Sequence, residues 1–362
     1  MKRIILPLTL LASALLNVGC GNSSNAVAPT TTVKNGNIYY VRTNKGAPGT
    51  VRTVAEDGTG GKLVFENGDV LVSAPQSGKM VLITVDSVAH TRSLALADSA
   101  GTILKQLSVA GSPTLAELSP DGKKICYGFA SGVSSQSSEL HLINSDGTND
   151  IKIPMSGAWE SVVAFSPDSK MLVFYADDGT FPNNKLYVIN SDGTNLRMLA
   201  DNAAGISDGF GGLAWSPAGD KILFMRADSM KSEGYDIWSI SPTKPETANL
   251  TADIDQAMLP MFSPDGKTIA FVSGAIDSTN IDIWLMNADG TNKRNLTKTP
   301  VASDAELHPR WSPDGKKLLC LSFDLSSTSN VFTGKLKLVD VATGTSSILT
   351  GTPDVAYAFW GR

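Results

Sequence analysis

The sequence predicts an all-β fold, a seven-bladed β-propeller of four-stranded antiparallel blades, closed by the C-terminal strand pairing in the N-terminal blade. Three observations predict it. A Ser-Pro-Asp-Gly-Lys segment recurs with serines at 119, 166, 216, 263 and 312, in steps of 47, 50, 47 and 49 residues, a period in the range of propeller blades. Each recurrence runs into a strand with large apolar residues on alternate positions. The last residues, Val355 to Trp360, match the segment Ser161 to Ser166 and form a lone first strand, while the N-terminal blade lacks one.

Each part of the repeat has a physical reason. In the turn, Pro presets φ, Asp hydrogen-bonds locally and Gly accepts φ > 0. Six residues after each serine stand Ile125, Leu172, Ile222, Ile269 and Leu318; eight after stand Tyr127, Phe174, Phe224, Phe271 and Cys320. Period two with apolar bulk on one face is a half-buried strand. A third strand follows (Leu140 to Asn144, Leu186 to Asn190, Ile237 to Ser241, Ile283 to Asn287, Leu336 to Asp340), and a short fourth carries Leu199, Leu250, Leu296 or Leu349. Four antiparallel strands in this length make a propeller blade, which buries its faces only against its neighbours.

At the N-terminal side, Ile38 to Arg42, Val51 to Asp57 and Lys62 to Glu66 read as second, third and fourth strands of a blade with no first strand of its own. Val70 to Lys79 is a degenerate repeat with Ala74 in the serine's place, and at the C-terminal end Trp360 takes that place, 48 residues after Ser312. Seven first strands and seven sets of the other three give seven blades over 36–362, and closure leaves no exposed sheet edge at the seam.

Composition limits the function classes. Apolar content of 42% with 18% charged residues suits a soluble β protein. A formal charge of −5 and no basic stripe argue against a nucleic-acid partner. Residues 1–20 read as a targeting segment: Lys2-Arg3, an apolar run from Ile4 to Leu16, then Asn17-Val18-Gly19-Cys20. The run is short for a membrane span and has signal-peptide flanks. Its end resembles the lipobox of bacterial lipoproteins, with Asn17 where Leu is usual. That resemblance implies lipidation of Cys20, and Gly21 after it implies the outer membrane, facing the periplasm; a plain secretory signal cut near Gly19 is the alternative. Residues 21–35, rich in Asn, Ser, Thr and Ala, read as a flexible tether.

Ser-Pro-Asp-Gly-Lys, the strand after it, Ile283 to Asn292 (Ile-Trp-Leu-Met-Asn-Ala-Asp-Gly-Thr-Asn) and Asn295-Leu296-Thr297 resemble the WD-like repeat of the TolB family. The resemblance covers about Gly36 to Arg362 and is strongest in the last five blades. It implies a propeller in the cell envelope with a protein or peptide partner, TolB's own being the lipoprotein Pal. TolB adds an N-terminal α/β domain for which Cys20 to Gly36 leaves no room, so the chain resembles a stand-alone, monomeric propeller. Membrane contact is expected through the lipid anchor alone.

Catalytic motifs are sparse. Gly205-Ile206-Ser207-Asp208-Gly209 fits Gly-x-Ser-x-Gly, but a nucleophile elbow needs a strand before it and a helix after it, and here it lies in a loop. The repeat also resembles the propeller of prolyl-oligopeptidase-type enzymes, whose hydrolase domain would have to follow Arg362. The expectation is therefore a non-enzymatic module presenting loops and channel mouth to a protein or peptide, or a structural member of a Tol-Pal-like assembly. The alternative is a glycan-binding or glycan-cleaving propeller, suggested by Phe181, Phe210 and Tyr235 in loops.

Histidine and cysteine give no site. His141 falls where other third strands carry Tyr187, Trp238 and Trp284 and reads as a packing aromatic; His90 lies in a loop; His308 enters a first strand beside Arg310, placed to face the channel. They occupy three different strand positions, which disfavours a three-histidine metal site. Cys126 and Cys320 point to opposite faces of equivalent strands three blades apart, too far for a disulfide, and read as buried free thiols. Acids form the one constellation. Asp208, Asp255 and Asp304 lie eight residues before their serines, and Glu160, Glu306 and Asp354 six before theirs. Equivalent positions in a ring share a level, so these six are expected at one channel mouth. Crowded carboxylates raise each other's pKa unless a cation intervenes. The candidate occupants are a divalent cation such as calcium, a Lys- or Arg-bearing segment of a partner, or solvent alone.

Overall fold

The computed structural model describes residues 35–44, 47–68, 78–86, 91–130, 138–154, 162–176, 185–201, 203, 212–228, 234–274, 281–299, 304–324, 334–349 and 355–361. Blade 1 joins β1 (Ile38–Asn44), β2 (Ala47–Val54) and β3 (Lys62–Gly68) to β27 (Val355–Trp360) from the far end of the chain. Blade 2 shows β4 (Lys79–Asp86), β5 (Thr91–Asp98) and β6 (Ile103–Leu107). The degenerate repeat expected to supply its first strand falls at 69–77, outside the described residues. Blade 3 is β7 (Pro113–Leu118), β8 (Lys124–Ala130), β9 (Ser138–Asn144) and β10 (Ile151–Lys152); blade 4 is β11 (Val163–Phe165), β12 (Met171–Ala176), β13 (Lys185–Asn190) and β14 (Arg197–Ala200). Blade 5 is β15 (Ala214–Trp215), β16 (Ile222–Asp228), β17 (Gly234–Ile240) and β18 (Thr247–Asn249); blade 6 is β19 (Met258–Phe262), β20 (Thr268–Ser273), β21 (Asp282–Asn287) and β22 (Arg294–Asn295). Blade 7 is β23 (Asp304–Trp311), β24 (Lys317–Asp324), β25 (Lys335–Asp340) and β26 (Ser346–Ile348). The seven-bladed all-β architecture read from the sequence is the observed one.

The turns hold the way their residues dictate. Ser119 Oγ donates to Asp121 Oδ1 at 2.7 Å, and the main-chain N–H groups of Lys123 and Lys124 donate to Asp121 Oδ1 and Ser119 Oγ at 3.0 and 2.9 Å. Blades 4, 6 and 7 repeat the pattern around Ser166, Ser263 and Ser312. Blade 5 has Ala218 in place of the Asp, and its Ser216 turns to Asp220 at 2.7 Å. Blade 4 has Ser169 in place of the Gly, at φ 61°. The strain of a left-handed serine is offset by its Oγ accepting the Asp121 N–H of the preceding blade at 3.0 Å.

Seven apolar clusters lie one at each blade interface. First strands of neighbouring blades touch each other around the ring, from β7 through β11, β15, β19 and β23 to β27, so these strands form the inner wall. Tryptophan ties successive first strands: Nε1 of Trp215, Trp311 and Trp360 donates to the carbonyls of Ala164, Met261 and Arg310, at 3.0, 3.1 and 3.2 Å. The fully buried Tyr175 hydroxyl adds a link between blades 4 and 5, accepting from Met225 N–H at 3.0 Å and donating to Gly212 O at 3.3 Å.

These bonds correct the alignment at the seam. Ile38 pairs with Trp360 as Leu318 pairs with Trp311 and Ile222 with Trp215. Gly361 N–H donates to Asn37 O at 2.8 Å, as Ser312 N–H donates to Lys317 O. The serine's place therefore belongs to Gly361, not Trp360, and Asn35 closes the ring with its Oδ1 at 3.2 Å from Asp314 N, as Ser169 does for Asp121. The apolar pattern alone could not fix this register, because Phe359 and Trp360 are both large and both buried.

Trp360 both fills the interface between blades 7 and 1 and ties their inner strands. Trp360→Ala is expected to cost about 3–5 kcal/mol, the range for deleting a buried aromatic, read as a lowered urea midpoint. A midpoint unchanged from wild type would mean that the seam does not hold the ring.

Candidate functional site

Of the six acids expected at one channel mouth, Glu306 is shown to lie elsewhere, buried against Lys337. Asp255 is exposed in the bend before β19. Asp304 opens β23, its backbone paired with Asp324; its side chain, like residues Glu160, Asp208 and Asp354, lies outside the described set, as does Cys20. With the serine's place at Gly361, Asp354 stands seven residues before it in the sequence, not six. Glu306 is the clear departure, with no exposed surface at all. Alternation explains it: Ala305 and Leu307 join the apolar cluster shared with blade 1, so Glu306 points the other way, into the interior of the stack.

Its partner there is Lys337 of β25, whose Nζ donates to Glu306 Oε1. The pair occupies a place that is aromatic in other blades. Phe174 faces Tyr187, Phe224 faces Trp238, Phe271 faces Trp284 and Tyr127 faces His141, whereas in blade 7 Cys320 faces Lys337. The ring pairs lie 5.9 Å apart at Phe174–Tyr187, 6.3 Å at Phe271–Trp284 and 5.1 Å at Tyr127–His141. A small thiol in place of an aromatic leaves the volume that Glu306 and Lys337 occupy. Burial, and then the Glu306 charge, push the Cys320 thiol well above its ordinary pKa, so it is no thiolate nucleophile. Glu306 Oε2 is buried with no hydrogen-bond partner.

His141 packs as an aromatic, as read from its position, and its ring nitrogens face Asp150 Oδ1 at 3.0 Å and Glu139 Oε2 at 3.4 Å. Asp150 also accepts the Tyr127 hydroxyl at 2.6 Å. His90 and the Gly-x-Ser-x-Gly segment lie outside the described residues. Cys126 and Cys320 are buried free thiols. Tyr235 is not a loop aromatic: it lies in β17 and packs against an apolar cluster, which removes one of three rings offered for glycan binding. Among the described residues no group of three or more His, Cys, Asp or Glu side chains could hold a metal ion.

His308 is on the inner wall. It keeps part of its surface accessible, yet burial, and then the charge of Arg310, lower its pKa to about 3. The two facts agree if the imidazole is packed among protein atoms while another part of the residue keeps the accessible surface. Its φ of 57° belongs to a bulge in β23, where pairing slips between Leu307 and Arg310. Leu259, also four residues before its serine and also followed by proline, does the same in β19 at φ 53°. Sequence periodicity could not show this, because a bulge breaks the period.

No family model matches the chain. Among curated proteins it is similar to dipeptidyl-peptidase 5 of Porphyromonas gingivalis, 26% identical over 288 residues that span 66% of this chain and 41% of that one. It is also similar to the uncharacterized peptidase YuxL of Bacillus subtilis, 26% identical over 108 residues, 29% of this chain and 16% of that one. The chain thus spans less than half the length of the curated relatives it matches. Among solved structures, TolB of Acinetobacter baumannii superposes with a TM-score of 0.51 at 17% identity, covering 90% of this chain and 66% of that one. The fold is that of a TolB-like propeller. The propeller domain of the Trilobed protease of Pyrococcus furiosus, described as having an open velcro topology, gives a TM-score of 0.62 at 10% identity, covering 88% of this chain and 96% of that one. This TolB-like propeller is instead zipped shut by β27 on β1.

The curated relatives correct the functional expectation: both are peptidases, so the non-enzymatic reading does not stand. Its error is physical. Ser-Pro-Asp-Gly-Lys encodes a turn and a strand start, which a peptidase propeller and a TolB propeller need alike, so the repeat cannot tell them apart.

Two outcomes follow for blade 7. Lys337→Met alone strands a buried carboxylate and is expected to cost about 3–5 kcal/mol by urea denaturation. Glu306→Ala with Cys320→Phe and Lys337→Trp, which rebuilds the aromatic pair of the other blades, should recover most of that loss; failure to recover any would deny the equivalence of the sites. For His308, the unfolded chain takes up a proton below its ordinary pKa of 6.5, whereas the folded ring stays neutral down to about 3. Stability should therefore fall across that window by on the order of 1 kcal/mol per pH unit. His308→Asn, which tolerates φ > 0, should flatten the profile in acid melts.

Proposed function

We propose that this chain acts in peptide hydrolysis as the propeller of a peptidase-type protein in the cell envelope, receiving peptides at its channel. The observation that carries the reading is the 288-residue similarity to dipeptidyl-peptidase 5, a peptidase by name, along two-thirds of the chain. The propeller domain of the Trilobed protease supports it at the level of fold, since the same architecture there belongs to a protease. Asp255 and Asp304 lead into the inner strands of consecutive blades, and in this reading they, with Glu160, Asp208 and Asp354, set negative charge where a Lys- or Arg-bearing peptide enters. The leader ending in Cys20 supports an exported protein lipidated at that residue and held at the outer membrane, facing the periplasm.

The test is to express the full chain in a bacterial host and assay fractionated cells with coumarin-tagged dipeptides bearing basic, acidic and apolar residues. Release of coumarin above the empty host is expected in the membrane fraction, and Cys20→Ser is expected to shift it to the soluble fraction. Release equal to the empty host for every substrate would overturn the peptidase reading. Activity that ignores Cys20→Ser would overturn the anchor.

A further inference from the structure

The described inner strands of the propeller are apolar with few exceptions. β11 is Val-Ala-Phe, β15 Ala-Trp, β19 Met-Leu-Pro-Met-Phe and β27 Val-Ala-Tyr-Ala-Phe-Trp, while β7 carries a single charge, Glu117. β23 breaks the pattern, with Asp304, Glu306, His308 and Arg310 on every second position. Glu306 is committed to Lys337, and burial holds His308 neutral above about pH 3. Arg310 is therefore left as the cation of this stretch of wall.

Its surroundings do not answer that charge. Arg310 is half-buried, its carbonyl is locked by the Trp360 indole at 3.2 Å, and Nη1 meets the Met261 sulfur at 3.8 Å. A thioether is a weak acceptor, and a guanidinium has five donors in a rigid fork. Among the described residues no carboxylate pairs with it. The bulge at His308–Pro309 sets where Arg310 leaves the strand, the re-aiming that bulges perform. A half-buried guanidinium on an inner-wall strand, with most of its donors uncommitted among the described residues, matches the two-point geometry of a carboxylate.

We propose that Arg310 is an anion-binding group of the channel that takes the carboxylate of a bound peptide, either its C-terminal group or an acidic side chain. The inference rests on the peptide reading above and adds a specificity to it: the channel prefers a peptide with a free carboxylate at this depth. Asp255, exposed in the bend before β19, together with Arg310 would then favour a peptide carrying opposite charges at its two ends.

The experiment is calorimetric titration of the full chain with Ala-Ala-Phe, its C-terminal amide, and Ala-Asp-Phe amide, on wild type and on Arg310→Gln, Arg310→Lys and Met261→Leu. In wild type the free acid, the Asp peptide or both are expected to bind about tenfold or more tightly than the neutral amide, the scale of a charge-assisted hydrogen-bond pair. Which of the two gains tells the C-terminal source from the side-chain source. Arg310→Gln should bring all three within about twofold, Arg310→Lys should keep part of the preference, and Met261→Leu, which leaves the guanidinium in place, should keep it. Equal binding of acid and amide by wild type, or a preference that survives Arg310→Gln, overturns the role of Arg310 and leaves the peptide reading standing. Absence of binding by all three peptides to wild type overturns both.

Discussion

The structure depends on the seam. Six blades could be stacked by local pairing alone, each strand finding the next within a few residues, but β27 must find β1 across nearly the whole chain. What fixes that encounter is interface chemistry borrowed from the repeat: Trp360 donates to Arg310 O as Trp311 donates to Met261 O, and Asn35 caps the last turn as Ser169 caps an internal one. The two ends of the chain together rebuild one repeat, split at its turn. Because each blade buries its faces only against neighbours, the ring gains its last interface at closure, which makes the stack a cooperative body rather than an open solenoid.

Most of this was legible in the residues because the repeat is written twice, once in turn chemistry and once in period-two patterning. The strand cores around Ile125, Leu172, Ile222, Ile269 and Leu318 all fall inside β8, β12, β16, β20 and β24. Where one of the two signals faded, the reading faltered. At the C-terminus no Ser-Pro turn marks the register, and apolar residues at 359 and 360 left it free to slip by one. At the first strands, counting back from the serine assumed an unbroken strand, and the bulges after Met258 and Leu307 violate that assumption.

Glu306 shows why charge in a sequence is a poor guide to exposure. An acid six residues before a serine reads as a loop charge until the rest of its layer is considered. The missing signal was in plain view two strands away: Cys320 and Lys337 occupy positions that are aromatic in four other blades, a void and a counter-charge facing each other in register. Reading columns of the repeat across blades, rather than each residue along the chain, is what exposes a buried pair of this kind.

Turn residues are shared by every propeller of this repeat, since they answer to φ, ψ and local hydrogen bonds; they say nothing about what passes through the ring. Chemistry has to come from positions where the repeat is broken. Blade 7 breaks it in the polar alternation of β23 and in the ion pair that replaces an aromatic pair, and it shares a left-handed residue before a proline, His308, with Leu259 of blade 6. Burying a charged pair is seldom the most stable solution for such a site, and a left-handed residue before a proline adds strain. A blade that carries both departures beside the half-buried Arg310 departs from the repeat in directions that packing alone would not favour.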